Sequence, residues 1–199
     1  MCKHFVPRVL STSRFADDLM KPSRPIVITG FMGCGKTEVA GALAGQLGLR
    51  MSDLDDLITQ STGRTPAQLI DQEGEPTFRQ IEASTLDHLL TDGSADVISL
   101  GGGAWIEGNN RQRLEKANAI SVWLDTPFEI CWQRIVASTE DRPLGRTKQQ
   151  AVELFERRRP IYQLARIRVE VDSTDLPAKI AGDLKAEILR LGLTEQAAK

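Results

Sequence analysis

Eight residues close behind the apolar run Ile26-Val27-Ile28 constrain this chain more than any others: Gly30-Phe31-Met32-Gly33-Cys34-Gly35-Lys36-Thr37. Glycine loses more backbone freedom on folding than any other residue, so three in eight positions beside a buried strand need a purpose. The spacing Gly-x4-Gly-Lys-Thr supplies one. It is the Walker A phosphate-binding loop, and it stands where that loop must stand, after a predicted strand and at the start of a predicted helix. Glycines let successive backbone N–H groups curl inward around phosphate oxygens. The helix that follows adds its free N–H groups and the positive end of its dipole. Lys36 then supplies a charge to the β- and γ-phosphates, and the Thr37 hydroxyl is a magnesium ligand. A dinucleotide fingerprint does not fit, because Glu38 occupies the place of its third glycine. Cys34 fills a small-residue slot, or is a thiol whose pKa the helix N-terminus lowers.

Beyond the loop, short apolar runs alternate with helix-period stretches, which predicts an α/β fold with a mainly parallel sheet. The expected strands are 26–29, 50–53, 97–100, 119–124 and 167–171. The expected helices are 37–47, 66–90, 108–116, 128–136, 151–165 and 178–191. In open sheets of this kind ligands sit at the carboxyl ends of the strands. Gly30 to Thr37, Asp53 to Asp56, Gly101 to Gly103, Asp125, and Asp172 to Asp175 are therefore expected to converge.

Composition narrows the partners. With 25 Lys and Arg against 27 Asp and Glu, the net charge is −2, which gives no reason to expect nucleic acid or an anionic membrane. Three scattered cysteines and two histidines argue against a disulfide framework or a zinc site, and fit a cytosolic protein. No apolar run approaches a membrane span of ~18 residues. Residues 1–24 read as a flexible extension ahead of one domain over 25–194. Lys3, Arg8 and Arg14 without early acids leave organelle targeting as the alternative.

Several side chains then compete for roles at the site. Asp125 follows an apolar run, as a magnesium-ordering aspartate does in many ATPases, but it precedes Thr126-Pro127 and a predicted helix, so helix capping is the expectation. Asp53 and Asp55 suit the metal and the reaction better. In an extended segment they point to one side, so one can hold the hydration shell of the metal while the other accepts the proton of an attacking hydroxyl. Arg79, with an arginine of the run 157–159, can clamp a carboxylate by charge-assisted hydrogen bonds. Gly101-Gly102-Gly103 at a strand end would bring backbone close to a ligand.

Taken in order, GFMGCGKT, DLD, GEPTFR with Glu82, GGG, DRPL and RRRPIY resemble the shikimate kinase family, over about residues 26–177. That resemblance implies a three-layer P-loop kinase fold, similar to nucleoside monophosphate kinases, with a central five-stranded parallel sheet. It implies transfer of the γ-phosphoryl of MgATP to the 3-hydroxyl of shikimate, on the route to chorismate and aromatic amino acids, by a cytoplasmic monomer. ATP would be bound by Gly33, Cys34, Gly35, Lys36, Thr37 and Glu38, with Arg134 and Pro177 around the adenine. Mg2+ would be held by Thr37 and Asp53. Shikimate would meet Asp55, Arg79, Gly101, Gly102, Gly103 and Arg158. Lys36, Asp55 and Arg142 would be catalytic, Arg142 from a lid over about 138–157. Two departures stand out: Gly145 replaces a second leucine of the lid signature, and the stretch from Arg142 to Arg158 is short. Arg146 has no assigned part. The rival readings are a gluconate-type sugar-acid kinase and a non-catalytic nucleotide-binding module.

Overall fold

Ile26–Thr29, entirely buried, forms the middle strand of the sheet, β1, and everything at the site is placed relative to its carboxyl end. The computed structural model describes residues 24–138 and 145–192. In chain order the other elements are α1 (Lys36–Leu47), β2 (Met51–Asp53), α2 (Leu54–Thr62), α3 (Pro66–Glu73), α4 (Glu75–Asp92), β3 (Val97–Ser99), α5 (Gly108–Lys116), β4 (Ile120–Asp125), α6 (Phe128–Ala137), α7 (Lys148–Tyr162), β5 (Ile167–Glu170) and α8 (Pro177–Arg190). The strands lie in the order β2-β3-β1-β4-β5, all parallel, with Val27 registered between Ile98 and Ser121.

That order explains the convergence. The chain leaves β1 for the β3 side, runs out to β2, returns to β3, and then crosses β1 to reach β4. The crevice beside β1 is thus the point where the direction of winding reverses, the place where such sheets bind ligands. All residues of β1 and β4 are buried, so both faces of the sheet are covered by helices, giving three layers. The α/β fold expected from the alternating pattern is the fold observed.

Three local expectations need correction. The segment after β2 is not extended: the Asp53 side chain accepts hydrogen bonds from the backbone N–H groups of Asp55 and Asp56, capping α2 and turning the chain at once into a helix. Asp53 therefore closes a strand while Asp55 lies in a first helical turn. The helix expected over 66–90 is two helices, because Gly74 at φ 86, ψ 156 is both the end of α3 and the start of α4. Asp125 caps nothing. Its Oδ2 accepts from Arg168 Nε at 2.8 Å and Nη2 at 2.6 Å, with Arg159 Nη2 at 3.4 Å, while Pro127 is the N-cap residue of α6. Remaining in β4, its carboxylate reaches the arginine of the neighbouring strand instead of the helix ahead.

The expected extension lies, apart from Arg24, outside the described residues. So do Arg142 and the lid signature up to Leu144, whereas 148–157 of the lid span belongs to α7.

Gly30 illustrates how tightly the loop is seated. Its φ is +145°, and a Cβ there would lie 2.8 Å from Cys34 Sγ and 2.9 Å from the Leu124 carbonyl oxygen. Gly30→Ala is expected to destabilise the chain by about 1–3 kcal/mol through this backbone strain, measured as a lower denaturant midpoint with unchanged slope.

Candidate active site

Two cavities share a wall at the carboxyl end of β1. The first, about 660 Å³, is lined by Gly33 to Thr37 together with Asp53, Ser99, Arg134 and Pro177. The second, about 580 Å³, is lined by Arg79, Glu82, Gly101 to Gly103 and Arg158, and by Thr65 and Gln68 at the N-terminal end of α3. Met32, Asp55, Asp56 and Gly102 face both.

In the first cavity the loop holds its cation by its own backbone: Lys36 Nζ donates to the Phe31 carbonyl at 3.0 Å. Thr37 Oγ1 donates to Asp53 Oδ2 at 2.7 Å and lies 3.4 Å from Ser99 Oγ. A hydroxyl and a carboxylate form a hard, oxygen-only donor pair, which suits Mg2+. Ser99, buried at the end of β3, is a member of this group that motif reading missed; its only signal was its place just before Leu100 and the three glycines. Arg134 Nη1 donates to the Gly33 carbonyl at 3.3 Å, and Pro177 opens α8 across the cavity. Glu38 is exposed at the rim. Asp125 does not line this cavity. Cys34 is buried, and burial pushes its thiol pKa up, so the expected lowering by the helix end is outweighed. The small-slot reading stands.

Asp55 is the hinge between the cavities. Burial, with the nearby charge of Asp53, pushes its pKa up to about 6. Its Oδ1 is buried with no partner among the described residues. A carboxylate in that setting is a better proton acceptor than one in water. The same shift has a sign in stability. Between about 3.8 and about 6 the folded chain holds a proton that the unfolded chain has released, so stability falls as pH rises through that window. Asp55→Asn removes this component. Its melting temperature is expected to match wild type near pH 4 and exceed it by several degrees at pH 7.5, since a rise from 3.8 to about 6 is worth up to about 3 kcal/mol, read by calorimetry of the ligand-free chain.

The second cavity brings together two cations from distant segments. Arg79 projects from the first turns of α4; its Nη1 donates to both oxygens of Glu82 at 3.0 and 2.9 Å, and its Nη2 to Glu75 at 2.8 Å. Arg158, on α7, is 8% exposed and donates from Nη1 to the Gly102 carbonyl at 3.3 Å. Burial, with a smaller push from the charge of Arg79, lowers its pKa. Tyr162, one turn on, donates its hydroxyl to the same carbonyl at 2.6 Å. Of the run 157–159, it is therefore Arg158 that faces Arg79, while Arg159 turns towards Asp125.

Two of the three glycines are required by proximity, since none has a positive φ. A Cβ at 101 would sit 2.6 Å from Asp55 Oδ1 and one at 103 would overlap the Arg79 guanidinium, whereas one at 102 would make only ordinary contacts, the nearest with Met32 N at 3.4 Å. Gly145, where a leucine was expected, faces Met32: a Cβ there would come within 2.5 Å of Met32 Cε. The glycine is matched to the methionine that separates the cavities. Arg146 beside it forms a 2.9 Å ion pair with Asp71 of α3.

This geometry can be set beside known proteins. The sequence profile of the family described as Shikimate kinase matches residues 32–189. The shikimate kinase of Persephonella marina is 34% identical over 83% of this chain and 99% of its own. That of Cereibacter sphaeroides is 39% identical over 74% of each chain. Among solved structures, shikimate kinase from Acinetobacter baumannii in complex with shikimate superposes with a TM-score of 0.74 at 34% identity, covering 91% of this chain and 97% of that one. A gluconokinase from Sinorhizobium meliloti, at 19% identity and a TM-score of 0.53, shares the fold alone.

Proposed function

The chain belongs to the shikimate kinase family, and on that footing we propose how its two cavities divide the transfer of the γ-phosphoryl group of ATP to the 3-hydroxyl of shikimate. The products are shikimate 3-phosphate and ADP, a step of aromatic amino acid biosynthesis. The observation that carries the division of labour is the shared wall: Asp55 faces both a phosphate-binding cavity and one holding two arginines.

ATP takes the first cavity. The backbone N–H groups of residues 33–37 surround its phosphates, Lys36 exchanges the Phe31 carbonyl for phosphate oxygens, and Glu38 lies at the rim. Arg134 and Pro177 take the adenine between them. Mg2+ would be held by Thr37 and Asp53, directly or through water, and when bound it neutralises charge on the β- and γ-phosphates.

Shikimate takes the second cavity, its carboxylate held between Arg79 and Arg158 and its ring against Gly101, Gly102 and Gly103. That clamp turns one ring hydroxyl towards Asp55 and makes the encounter with the phosphate effectively unimolecular. Asp55 receives the hydroxyl proton as the new O–P bond forms and the bond to ADP breaks. Lys36 stays with the phosphate charge throughout, and Arg142 is assigned to it from the lid over 138–157. Residues 25–194 act as one catalytic domain behind an extension at 1–24. The enzyme works as a monomer, and in the cytoplasm, the compartment the cysteine pattern favours; no helix among the described residues is long and apolar enough to cross a membrane.

The test is ADP release from MgATP with shikimate, gluconate or no acceptor. Turnover on shikimate alone is expected. Turnover on gluconate alone would overturn the acceptor assignment while leaving the phosphate loop intact, and nucleotide binding without turnover on either acid would favour the non-catalytic reading.

A further inference from the structure

Arg79 is ringed by more carboxyl groups than one guanidinium can use, although burial pushes the pKa of one of them, Glu82, up to about 7. Glu82 takes Nη1 with both oxygens, Glu75 takes Nη2 at 2.8 Å, and Glu107 Oε1 stands 3.9 Å from Nε. Arg158, facing it, donates to a backbone carbonyl. With Asp55 across the cavity, a fifth carboxylate, brought in by the substrate, meets repulsion unless a resident acid gives up its place.

The three glutamates are not equally able to do so. Glu82 is 1% exposed and bidentate, so it has no water to turn towards and holds the guanidinium in position. Glu107 is half-exposed but too distant from Nε for a hydrogen bond. Glu75 combines both properties needed. Its side chain is 44% exposed at the first residue of α4, and it occupies a terminal nitrogen of the guanidinium by a single contact. Rotating into solvent costs it little desolvation, whereas a buried partner could not leave.

We propose that Glu75 is a resident competitor for Arg79 Nη2, a carboxylate that the carboxylate of the acceptor must displace, so that Glu75 limits how tightly an acid binds. The inference rests on the assignment of Arg79 and Arg158 as the carboxylate clamp. It differs from an ordinary helix-surface ion pair in its sign: removing the charge strengthens binding.

The experiment is calorimetric titration of the full-length chain with shikimate and, separately, with its primary carboxamide, comparing wild type, Glu75→Gln, Glu75→Ala and Arg79→Ala. Both Glu75 variants are expected to bind shikimate roughly three- to fivefold more tightly, the scale of a partly exposed ion pair. The KM for shikimate falls with it and the KM for ATP does not. The neutral amide gains nothing. Unchanged or weaker shikimate binding in both variants, with wild type binding normally, overturns the competitor role and makes Glu75 a support for Arg79. An equal gain for the amide also overturns it, since charge would not be the cause. If Arg79→Ala binds shikimate as well as wild type does, the clamp itself is wrong, and the competitor role falls with it.

Discussion

Asp55→Asn is expected to lower kcat by about 10²–10³-fold, within the range for loss of a positioned general base, with the Kd for ATP changed less than twofold. Asparagine keeps the size of the side chain and can still orient a hydroxyl, but it cannot take the proton. The structure gives the aspartate reasons to be more than an orienting group: a buried, unpartnered Oδ1, a pKa pushed up to about 6 by burial, and a place on the wall between the cavities. A loose phosphoryl-transfer transition state leaves most of the rate enhancement to positioning and charge. For that reason the loss should stay well short of the whole rate enhancement. Steady-state kinetics with saturating MgATP decides it. A drop below tenfold would mean that Asp55 orients the hydroxyl and another acceptor takes the proton. The variant that loses turnover is also the one expected to melt higher at neutral pH, so unfolding cannot be mistaken for the cause.

Arg158→Ala is expected to cut kcat/KM for shikimate by about 10²–10³-fold, the loss of one or two charge-assisted hydrogen bonds to a carboxylate in a buried site. Most of that should appear in KM. The Gly102 carbonyl keeps the Tyr162 hydroxyl as a donor at 2.6 Å, so the glycine turn is not orphaned by the change. Lysine is not expected to rescue the variant, because a single ammonium cannot reproduce a planar fork aimed at two oxygens. The control is ATP affinity, which the proposed division assigns to the other cavity. Loss of ATP binding together with shikimate binding would show that Arg158 holds up the fold instead of the substrate.

How much of this was legible beforehand depended on whether a residue's role is local. The phosphate loop could be read outright, because its spacing is itself a three-dimensional instruction and β1 supplies the strand it needs. The pairing of Asp53 with Asp55 was read from the wrong geometry. Strand alternation suggested two carboxylates side by side; what brings them to one site is a cap, with Asp53 closing β2 and accepting the Asp55 N–H as α2 begins. A three-residue strand running straight into a helix has no periodicity of its own. Gly74 divides α3 from α4 because it sits at a positive φ, and one glycine in a long helical pattern is weak notice of that. Asp125 was misassigned because its partners are far along the chain: Arg168 is brought by the pairing of β5 with β4 and Arg159 by the packing of α7. The same distance hid Ser99 beside Thr37 and Glu107 beside Arg79. Glu82 and Glu75 were within reach, spaced one turn either side of Arg79 on a helix, yet nothing in a sequence distinguishes a buried anchor from an exposed rival.

The tripeptide Gly101-Gly102-Gly103 has a consequence for how such an enzyme could change over time. A Cβ at Gly101 would press on Asp55 and one at Gly103 on Arg79, whereas at Gly102 it would make only ordinary contacts, with Met32 N, the Gly30 carbonyl and Arg158. A side chain added at 101 or 103 would displace Asp55 or Arg79, the proposed base and clamp, before it could improve contact with a different acid, so single-step adaptation at those two positions is closed. Along α3, which lines the same cavity, Thr65 and Gln68 are committed to the helix's capping box, but Ala67 carries no such obligation. Drift in acceptor preference should therefore accumulate on that helix while Gly101 and Gly103 stay frozen, and a saturation library of both segments selected on a non-native acid would return its winners from α3.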